Sequence, residues 1–366
     1  MLHYIPGFLI GGIEARLLDW YKAIDRDKIQ FDVLKITKEE DTELIQEFKE
    51  LGGNVYTISK FSPRTFIQHI KDIKEFFHEH NDYSIVHSHA LSPFVLREAR
   101  KNRIKIRILH ARTTNFNPGV KMLGVRKFLK KISPHFATHF FACSKEAGLW
   151  AFGRNKDGIK IINNGIQLEK YIFNEVIREK IREEFNINNK FVIGNVGRFS
   201  SQKNMEFLIE IFAEVKKRET SALLFLIGDG PEKQKLLNRI KEFHIESDVI
   251  FAGQRKNVYD FLQSFDVFVM PSHFEGFGTT ALEAQAAGLI TFVSDTLPDS
   301  IKITSLIKFL PLKKGAKYWA ENILKNRKEY NRENMFYPIT KAGFNNNQTS
   351  KWLESFYSCE VNNSTL

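Results

Sequence analysis

Two glutamates and a glycine-rich turn are the groups of this chain best suited to chemistry. The turn Gly276-Phe277-Gly278 directly follows Glu275, and Glu283 lies farther along the same segment. Free backbone N–H groups in a glycine turn at the start of a helix suit an anion such as a phosphate. A carboxylate beside them suits hydroxyl groups, because it accepts hydrogen bonds in pairs. A phosphate together with several hydroxyls describes a sugar nucleotide.

The surrounding pattern predicts the elements that hold these groups. The run 266–270, apolar after Asp266, predicts a buried strand, the run after Gly288 predicts the next strand, and a helix lies between them. Ligands of open α/β sheets bind at the carboxyl ends of strands, where Glu275 would lie. A simpler interpretation stays open, in which Thr280 and Glu283 form a capping box and Glu275 is an ordinary loop carboxylate.

Short apolar runs alternate with helical patterns along the chain, which indicates βα units and parallel sheets. Strands are predicted at 2–6, 31–36, 54–58, 84–89, 104–110, 136–143, 191–196, 222–227, 249–252, 267–270 and 290–293. Helices are predicted at 14–24, 42–51, 63–80 and 204–217, from Pro231 onward, and at 348–357. We therefore expect two doubly wound α/β domains, 1–165 and 166–345, and a C-terminal helix near 346–366 that packs back on the first domain.

Composition is that of a folded globular protein. The 366 residues are 43% hydrophobic and 27% charged, and this length favours two domains. No apolar stretch approaches the roughly 20 residues that span a bilayer, and the N-terminus lacks the pattern of a signal peptide. Two cysteines, Cys143 and Cys359, are too few for a disulfide framework. These features predict a cytoplasmic protein.

The net charge of +11 favours partners that carry phosphate. Nucleotides, nucleic acid and an anionic membrane face all satisfy this condition, and charge alone does not choose among them.

A series of short motifs, taken in order, resembles the retaining glycosyltransferases of family 4, and in particular their bacterial capsule and exopolysaccharide branch. Each motif is weak alone, but together they extend over nearly the whole chain. The motifs are Gly11-Gly12-Ile13-Glu14, Val86-His87-Ser88-His89, Ile108-Leu109-His110, Phe141-Ala142-Cys143-Ser144, Asn163-Asn164-Gly165-Ile166, Val196-Gly197-Arg198-Phe199, Gln202-Lys203-Asn204, Gly228-Asp229-Gly230 and the block from Glu275 to Glu283. The resemblance implies a GT-B fold, in which two Rossmann-like domains face one another across a cleft.

The resemblance also implies a donor site in the second domain. Arg198 and Lys203 would hold the donor diphosphate, where fixed cations stabilise the charge that grows on the leaving group. Glu275, with the backbone of Gly276-Phe277-Gly278, would bind hydroxyls of the donor sugar. Glu283 would bind the ribose hydroxyls, and the region of Gly253 would seat the base. The alternative for Arg198 and Lys203 is solvated surface charge.

UDP is the carrier that the resemblance implies, although the residues themselves admit GDP or ADP equally. No cofactor is expected, and no metal, because the two cations supply the positive charge. The sequence shows no two-carboxylate motif at Asp266 and no cluster of histidine and cysteine ligands.

In the first domain, His110 would lie beside the reacting carbon and position the donor, giving electrostatic support rather than base catalysis. Gly11 and Gly12 would let the first loop approach the donor phosphate. Retaining transferases of this fold are thought to react by same-face attack, with the leaving phosphate accepting the acceptor's proton. The alternative for His110, as for His87 and His89, is a structural histidine at a strand end.

The segment 121–132 interleaves five cations with apolar residues at near-helical spacing. It predicts a docking helix for an anionic membrane face, which fits a lipid-linked acceptor and a peripheral position on the inner face of the cell membrane. The alternative is an amphipathic helix with a solvated basic face.

The sequence therefore predicts transfer of a hexose or N-acetylhexosamine from a UDP-sugar to a hydroxyl of a lipid-linked glycan or oligosaccharide, with retention at the anomeric carbon. A nucleotide-sugar epimerase of the same fold is one alternative. A non-catalytic scaffold or nucleic-acid-binding protein is another, but no nucleic-acid-binding motif accompanies the charge, so no nucleic-acid partner is expected.

Overall fold

The computed structural model describes residues 1–5, 12–36, 42–116, 122–153, 157–326 and 332–365, without the side chains of 12, 364 and 365. The chain divides into two compact units. The first comprises 1–166 and 343–366, and the second comprises 167–342.

Parallel strands and helices alternate in the first unit. Its strands are β1 (Leu2–Ile5), β2 (Asp32–Lys35), β3 (Val55–Thr57), β4 (Ile85–Ser88), β5 (Ile106–Ala111), β6 (His139–Ala142) and β7 (Ile159–Ile161). Its helices before the second unit are α1 (Gly12–Ala23), α2 (Glu43–Glu50), α3 (Phe66–Glu79), α4 (Pro93–Lys101), α5 (Leu123–Ile132) and α6 (Lys145–Phe152). Within the described residues the sheet order is β3-β2-β1-β4-β5-β6-β7, and every pair is parallel.

The second unit repeats this architecture. Its strands are β8 (Phe191–Val196), β9 (Ala222–Ile227), β10 (Val249–Gly253), β11 (Val267–Met270), β12 (Ile290–Ser294) and β13 (Ile307–Leu310). Its helices are α7 (Glu175–Glu184), α8 (Met205–Lys216), α9 (Lys233–Glu242), α10 (Val258–Ser264), α11 (Thr279–Ala286), α12 (Gly315–Lys325) and α13 (Phe336–Lys341). The described strands run parallel in the order β10-β9-β8-β11-β12-β13. Helix α14 (Asn346–Thr365) then returns to the first unit.

The two-domain α/β architecture predicted from the sequence is confirmed, with additions at the sheet edges. Strands β7 and β13 were not predicted, so the second sheet does not end at β12. Both are short, with exposed lysines at Lys160 and Lys308, and edge strands of mixed polarity give no continuous apolar run. The intervening helices α4, α6, α7, α10, α12 and α13 were also not predicted.

Helix α9 begins at Lys233 rather than at Pro231 as the proline predicted. The backbone N–H of Glu232 donates to the carbonyl of Phe199, 3.2 Å away, and this contact fixes the chain in a turn before the helix.

Helix α14 completes the core of the first unit. Leu353 and Tyr357 are buried in the same cluster as Trp20 and Phe31. At the start of the helix, the Asn346 amide donates to the carbonyl of Asp19 in α1, 3.1 Å away. The last helix of the chain therefore packs on elements formed by its first residues.

Asp266, at the entry to β11, links α7 to the second sheet. Its carboxylate accepts from Arg178 Nη2 at 2.6 Å, from Arg182 Nη1 at 3.4 Å and from the backbone N–H of Val192 at 2.7 Å. Burial lowers the pKa of Arg182, and the charge of Asp266 opposes this shift. The carboxylate thus compensates two partly or fully buried guanidinium groups.

We predict that Asp266→Ala lowers the free energy of unfolding by about 3 kcal/mol, because it leaves Arg182 buried without its counter-charge. Urea unfolding followed by circular dichroism measures the change. The control is Glu321→Ala, which breaks an exposed ion pair with Arg218 and should change stability by less than about 1 kcal/mol. Equal losses in the two variants would contradict a structural role for Asp266.

Candidate functional site

Loops at the carboxyl edge of the second sheet are joined by backbone hydrogen bonds. The N–H of Gly197, after β8, donates to the carbonyl of Ile227 at the end of β9, 2.9 Å away. The N–H of Gly228, after β9, donates to the carbonyl of Gly253 at the end of β10, 2.8 Å away. The sheet therefore presents the loops after three neighbouring strands as one surface.

Two positions in this surface admit only glycine. A Cβ atom on Gly228 would overlap the carbonyl oxygen of Gly197, and Gly228 also has a φ of +139°. A Cβ atom on Gly230 would overlap the backbone of Phe199. The turn after β9 thus lies directly against the backbone on both sides of Arg198, whose side chain is exposed.

Lys203 and Glu275 form an ion pair in the middle of this edge. Lys203 Nζ lies 2.8 Å from Glu275 Oε1, and the two side chains are 17% and 10% exposed. Lys203 also lies against Gly197, since a Cβ built on that glycine would be 3.7 Å from Nζ. Gln202 secures the same junction, because its carbonyl accepts from the N–H of His273 at 2.8 Å and its amide donates to the carbonyl of Phe274 at 3.1 Å.

The glycine turn after Glu275 begins helix α11. Gly278 is the N-cap with a φ of +98°, and the helix runs from Thr279. The capping-box interpretation is wrong, because Thr280 lies inside the helix and its hydroxyl donates to Met270 Sδ at 3.3 Å. Glu283 is 8% exposed on this helix. A Cβ on Gly278 would lie 3.9 Å from Glu275 Cγ, so this carboxylate lies beside the helix start.

This arrangement suits a ligand that carries both phosphate and hydroxyl groups. An ammonium group and the positive end of a helix dipole favour an anion, and nearby carboxylates accept hydrogen bonds from hydroxyls. The structure brings Lys203, Glu275 and Gly276-Phe277-Gly278 together, with Arg198 and Gly253 on adjacent loops and Glu283 on the helix that follows.

His110 belongs to the first unit, at the carboxyl end of β5, where it joins a buried histidine network. Its Nδ1 lies 2.9 Å from His87 Nε2, and His87 Nδ1 lies 2.9 Å from the hydroxyl of Tyr357. A second branch connects His3 Nδ1 to His89 Nε2 at 3.0 Å, and His89 Nδ1 accepts from Arg112 Nε at 3.1 Å. The network therefore contains four histidines from three adjacent strands or their ends.

Burial holds the pKa of His3, His87, His89 and His110 well below its usual range, and the charge of Arg112 acts in the same direction. Burial also lowers the pKa of Arg112 to about 10, so its guanidinium stays charged at neutral pH. The rings are consequently neutral, and each has one donor and one acceptor nitrogen.

The sequence predicted no cluster of histidine and cysteine ligands, but the fold brings three histidines of the first unit together. Ligand atoms of His3, His87 and His89 lie within 4.8 Å of one another, a spacing that a metal ion could use. We assign hydrogen bonds instead, because His89 uses both nitrogens in the network and the Arg112 guanidinium would repel a cation. Spacing along the chain does not predict the full cluster, since His3 and His89 are 86 positions apart.

Arg112 is one of three polar residues of this network that the sequence did not predict, together with His3 and Tyr357. Its Nη1 donates to Asn164 Oδ1 at 2.8 Å, and its guanidinium lies 4.9 Å from the centre of the Trp20 ring. The available signal was its position two residues after His110, where β5 has just ended.

The other predicted site residues either lie outside the described residues or are divided between the two units. Gly11 and Lys121 lie outside the described residues, and Gly12 is the first residue of α1. His110 is in one unit, whereas Arg198, Lys203, Gly253, Glu275 and Glu283 are in the other. No helix in the part of the chain that the structure describes is long and apolar enough to cross a membrane.

We predict that Lys203 and Glu275 are energetically coupled in the free protein. Lys203→Met and Glu275→Gln should each lower the free energy of unfolding by about 1–2 kcal/mol, because each change leaves a largely buried polar partner. The double variant should lose no more than either single one, which gives a coupling energy of about 1 kcal/mol or more in urea unfolding.

The exposed pair Lys71–Glu75, whose side chains are 63% and 55% exposed, provides the control cycle and should couple by less than about 0.5 kcal/mol. Additive losses at Lys203 and Glu275 would show that their proximity contributes nothing to the free protein.

Comparisons with known proteins agree with this architecture. The family model described as "Glycosyltransferase Family 4" matches residues 10–170, and the model described as "Glycosyl transferases group 1" matches residues 177–301. A Bacillus subtilis (strain 168) protein named for glycosyltransferase activity, EpsF, is 29% identical over 335 residues, which cover 88% of this chain and 86% of that protein. The Staphylococcus aureus capsular polysaccharide biosynthesis glycosyltransferase CapH is 26% identical over 355 residues, covering 92% and 94%.

Among solved structures, the Anabaena protein Alr3699/HepE in complex with UDP and glucose superposes with a TM-score of 0.80. The match covers 98% of each chain at 18% sequence identity, so it is a match of fold. Together the two family models extend over most of this chain, each on one α/β unit. The chain belongs to the family 4 glycosyltransferases of the GT-B fold, in their capsule and exopolysaccharide branch.

Proposed function

We propose that this glycosyltransferase takes a hexose or N-acetylhexosamine from a UDP-sugar and transfers it, with retention at the anomeric carbon, to a hydroxyl of a lipid-linked glycan or oligosaccharide. The observation that carries the donor assignment is the Lys203–Glu275 pair beside the start of α11. It places a cation, a carboxylate and the N-terminal end of a helix at the edge of a sheet where ligands of such folds bind.

The donor diphosphate would interact with Lys203 and Arg198. Both cations follow β8, and Arg198 makes no hydrogen bond or ion pair to another described residue, so its charge is available for a ligand. Negative charge grows on the diphosphate as the glycosidic bond breaks, and fixed cations stabilise that charge most in the transition state. We propose that these two residues supply the positive charge without a metal ion.

Hydroxyl recognition is assigned to the two glutamates. The diphosphate attracts Lys203, and the sugar hydroxyls then replace the ammonium as partners of Glu275. Glu283, on the helix that follows, binds the ribose hydroxyls, and the backbone near Gly253 contacts the base. Retention follows if the acceptor attacks on the face from which the diphosphate leaves, with a phosphate oxygen taking the acceptor's proton.

We predict that a UDP-sugar stabilises the wild-type protein in a thermal-shift screen of nucleotides and sugar nucleotides. At one hundred times the dissociation constant, the ligand adds about 2.7 kcal/mol to the free energy of unfolding. Lys203→Met and Glu275→Gln should abolish most of the shift. The matched control Lys233→Met, at a side chain of α9 that is 43% exposed, should keep it.

Transfer itself is checked by incubating that sugar nucleotide with a polyprenyl-diphosphate-linked glycan and determining the anomeric configuration of the product by NMR. Retention and insensitivity to EDTA are expected. Release of an epimerised sugar without acceptor would identify the epimerase alternative, and an inverted product would contradict same-face attack. If no nucleotide or sugar nucleotide shifts the wild type, the donor proposal fails.

The acceptor side is proposed to contact an anionic membrane through helix α5. Leu123, Val125 and Phe128 are 41%, 42% and 61% exposed, an unusual share of apolar surface for one helix. Lys127 and Lys131 are exposed on the same helix. Apolar side chains flanked by cations are typical of helices that lie in a membrane interface.

Not every cation of this segment is available for such a contact. Lys130 Nζ donates to the carbonyl of Trp150 at 2.6 Å and lies 4.3 Å from the centre of its ring. Lys130 therefore fastens α5 to α6, and the surface proposed for docking consists of Leu123, Val125, Phe128, Arg126, Lys127 and Lys131.

We predict that replacing Arg126, Lys127 and Lys131 by alanine reduces sedimentation with vesicles that contain anionic lipid by about tenfold or more, since each cation near such a surface contributes about 1 kcal/mol. Binding should also weaken with added salt. Phe128→Ser tests the apolar part.

The matched control removes three cations from helix α9 by replacing Lys233, Lys235 and Lys241 with alanine. It changes the net charge equally and should leave sedimentation unchanged. Equal losses in the two triple variants would show that overall charge, and not the α5 surface, governs the association.

A further inference from the structure

The buried network leaves one nitrogen of His110 for a ligand. Its Nδ1 is engaged by His87, whereas Nε2 is buried and has no hydrogen-bond partner among the described residues. Whether Nε2 carries a proton decides what His110 offers, because a neutral imidazole donates from one nitrogen and accepts at the other. The tautomer of His110 is therefore a property of the whole hydrogen-bonded chain that ends on it.

That chain begins at Tyr357 on α14. Tyr357 is 1% exposed, and its hydroxyl contacts His87 Nδ1 and no other described hydrogen-bond partner. Burial raises the pKa of Tyr357, so the hydroxyl keeps its proton. If His87 donated to the phenol oxygen, the buried phenol proton would have no acceptor, which is costly. If Tyr357 instead donates to His87 Nδ1, the phenol proton is hydrogen-bonded and no buried donor is left without an acceptor.

We propose that Tyr357 fixes the tautomer of His110 through His87. The phenol donates to His87 Nδ1, His87 Nε2–H donates to His110 Nδ1, and His110 consequently carries its proton on Nε2. Tyr357 is a positioning residue, since it acts on a ligand only through the rings of His87 and His110. It lies 270 positions from His87 in the sequence. Through His87, it gives α14 an influence on the protonation of His110 at the end of β5.

The second branch of the network has a direction of its own. Arg112 can only donate, so His89 Nδ1 accepts and His89 Nε2–H must donate to His3 Nδ1. This branch shares no hydrogen bond with the Tyr357 branch in the described structure. In this branch a terminal donor, Arg112, sets the protonated nitrogen of His89. Tyr357 has the same terminal position in the other branch.

The consequence concerns the role of His110. With Nε2–H outward, His110 donates a hydrogen bond to an oxygen atom of the substrate and does not accept a proton from a hydroxyl. This rests on the proposed function only for the identity of the ligand, an oxygen-rich glycosyl donor. The direction of the proton chain is a property of the free protein.

Tyr357→Phe tests the proposal, because it removes the phenol and keeps the ring. In protein labelled with ¹⁵N only at histidine, wild-type His87 and His110 should show a protonated Nε2 and an unprotonated, pyridine-type Nδ1. His110→Gln assigns the signals. In Tyr357→Phe the pyridine-type signal of His110 Nδ1 should shift toward the average of the two tautomers, because His87 has lost the donor that fixed it.

Tyr83→Phe is the matched control. It removes another phenol of the first unit, one that donates to Asp32 Oδ2 at 2.6 Å and lies outside the network. It should leave the histidine signals unchanged. A wild-type His110 protonated on Nδ1, or identical histidine spectra in the wild type and Tyr357→Phe, would overturn the proposal.

Kinetics give the second readout. Tyr357→Phe should lower kcat by about tenfold, the effect expected of one hydrogen bond that is no longer assured, with little change in KM for the sugar nucleotide. Tyr83→Phe should retain wild-type kcat. A fall in kcat shared equally by the two variants would indicate a loss of stability alone. If the wild type transfers no sugar, the proposed function fails while the NMR result still decides the tautomer.

Discussion

Polar side chains that are fully or largely buried at the carboxyl edges of the two parallel sheets need hydrogen-bond or ionic partners inside the protein, because little or no water reaches them. In the second unit this constraint pairs Lys203 with Glu275, and in the first it connects four histidines, Arg112 and Tyr357. Both edges are thereby ordered before any ligand arrives, and preorganised polar groups stabilise developing charge without a reorganisation cost.

The backbone of the second unit is also ordered by close internal contacts. Close contact between the turn after β9 and the loop after β8 requires glycine at 228 and 230, and the resulting hydrogen bonds define where Arg198 and Lys203 lie. Asp266 performs an analogous task at the opposite end of β11, where it holds α7 against the sheet. The strand that ends near Glu275 thus begins at an ion pair that joins α7 to the sheet, and the proposed donor site is at its other end.

The core of the first unit is completed by a helix that comes after the second unit in the chain. Helix α14 follows the second unit in sequence but supplies Leu353 and Tyr357 to the core formed by α1 and β2. Its tyrosine hydroxyl is the terminal donor of the histidine chain, so a residue near the C-terminus bears on the group at the end of β5. In the first unit, Leu129 of α5 is buried and Lys130 binds Trp150, whereas Leu123, Val125, Lys127, Phe128 and Lys131 are exposed.

The sequence by itself determined the strands that are buried on both faces. Those runs, β8, β9 and β11, need no polar alternation, and their bounds match the observed ones. The short motifs, in their order along the chain, likewise identified the family, because each motif is a contiguous run of residues that can be recognised without the fold. Only the tertiary structure decided the edge strands β7 and β13, whose mixed polarity reflects their position in a sheet.

Tertiary structure also decided the partners of the polar residues. Nothing local in the sequence separates Lys130, which binds Trp150, from Lys131 beside it, which is exposed. The Thr280–Glu283 spacing matches a capping box, but in the structure Gly278 is the N-cap, so Thr280 lies inside the helix. His3 meets His89, and His87 meets Tyr357, only because β1, β4 and α14 pack together, and hydrogen bonds between residues so distant in sequence leave no periodic pattern.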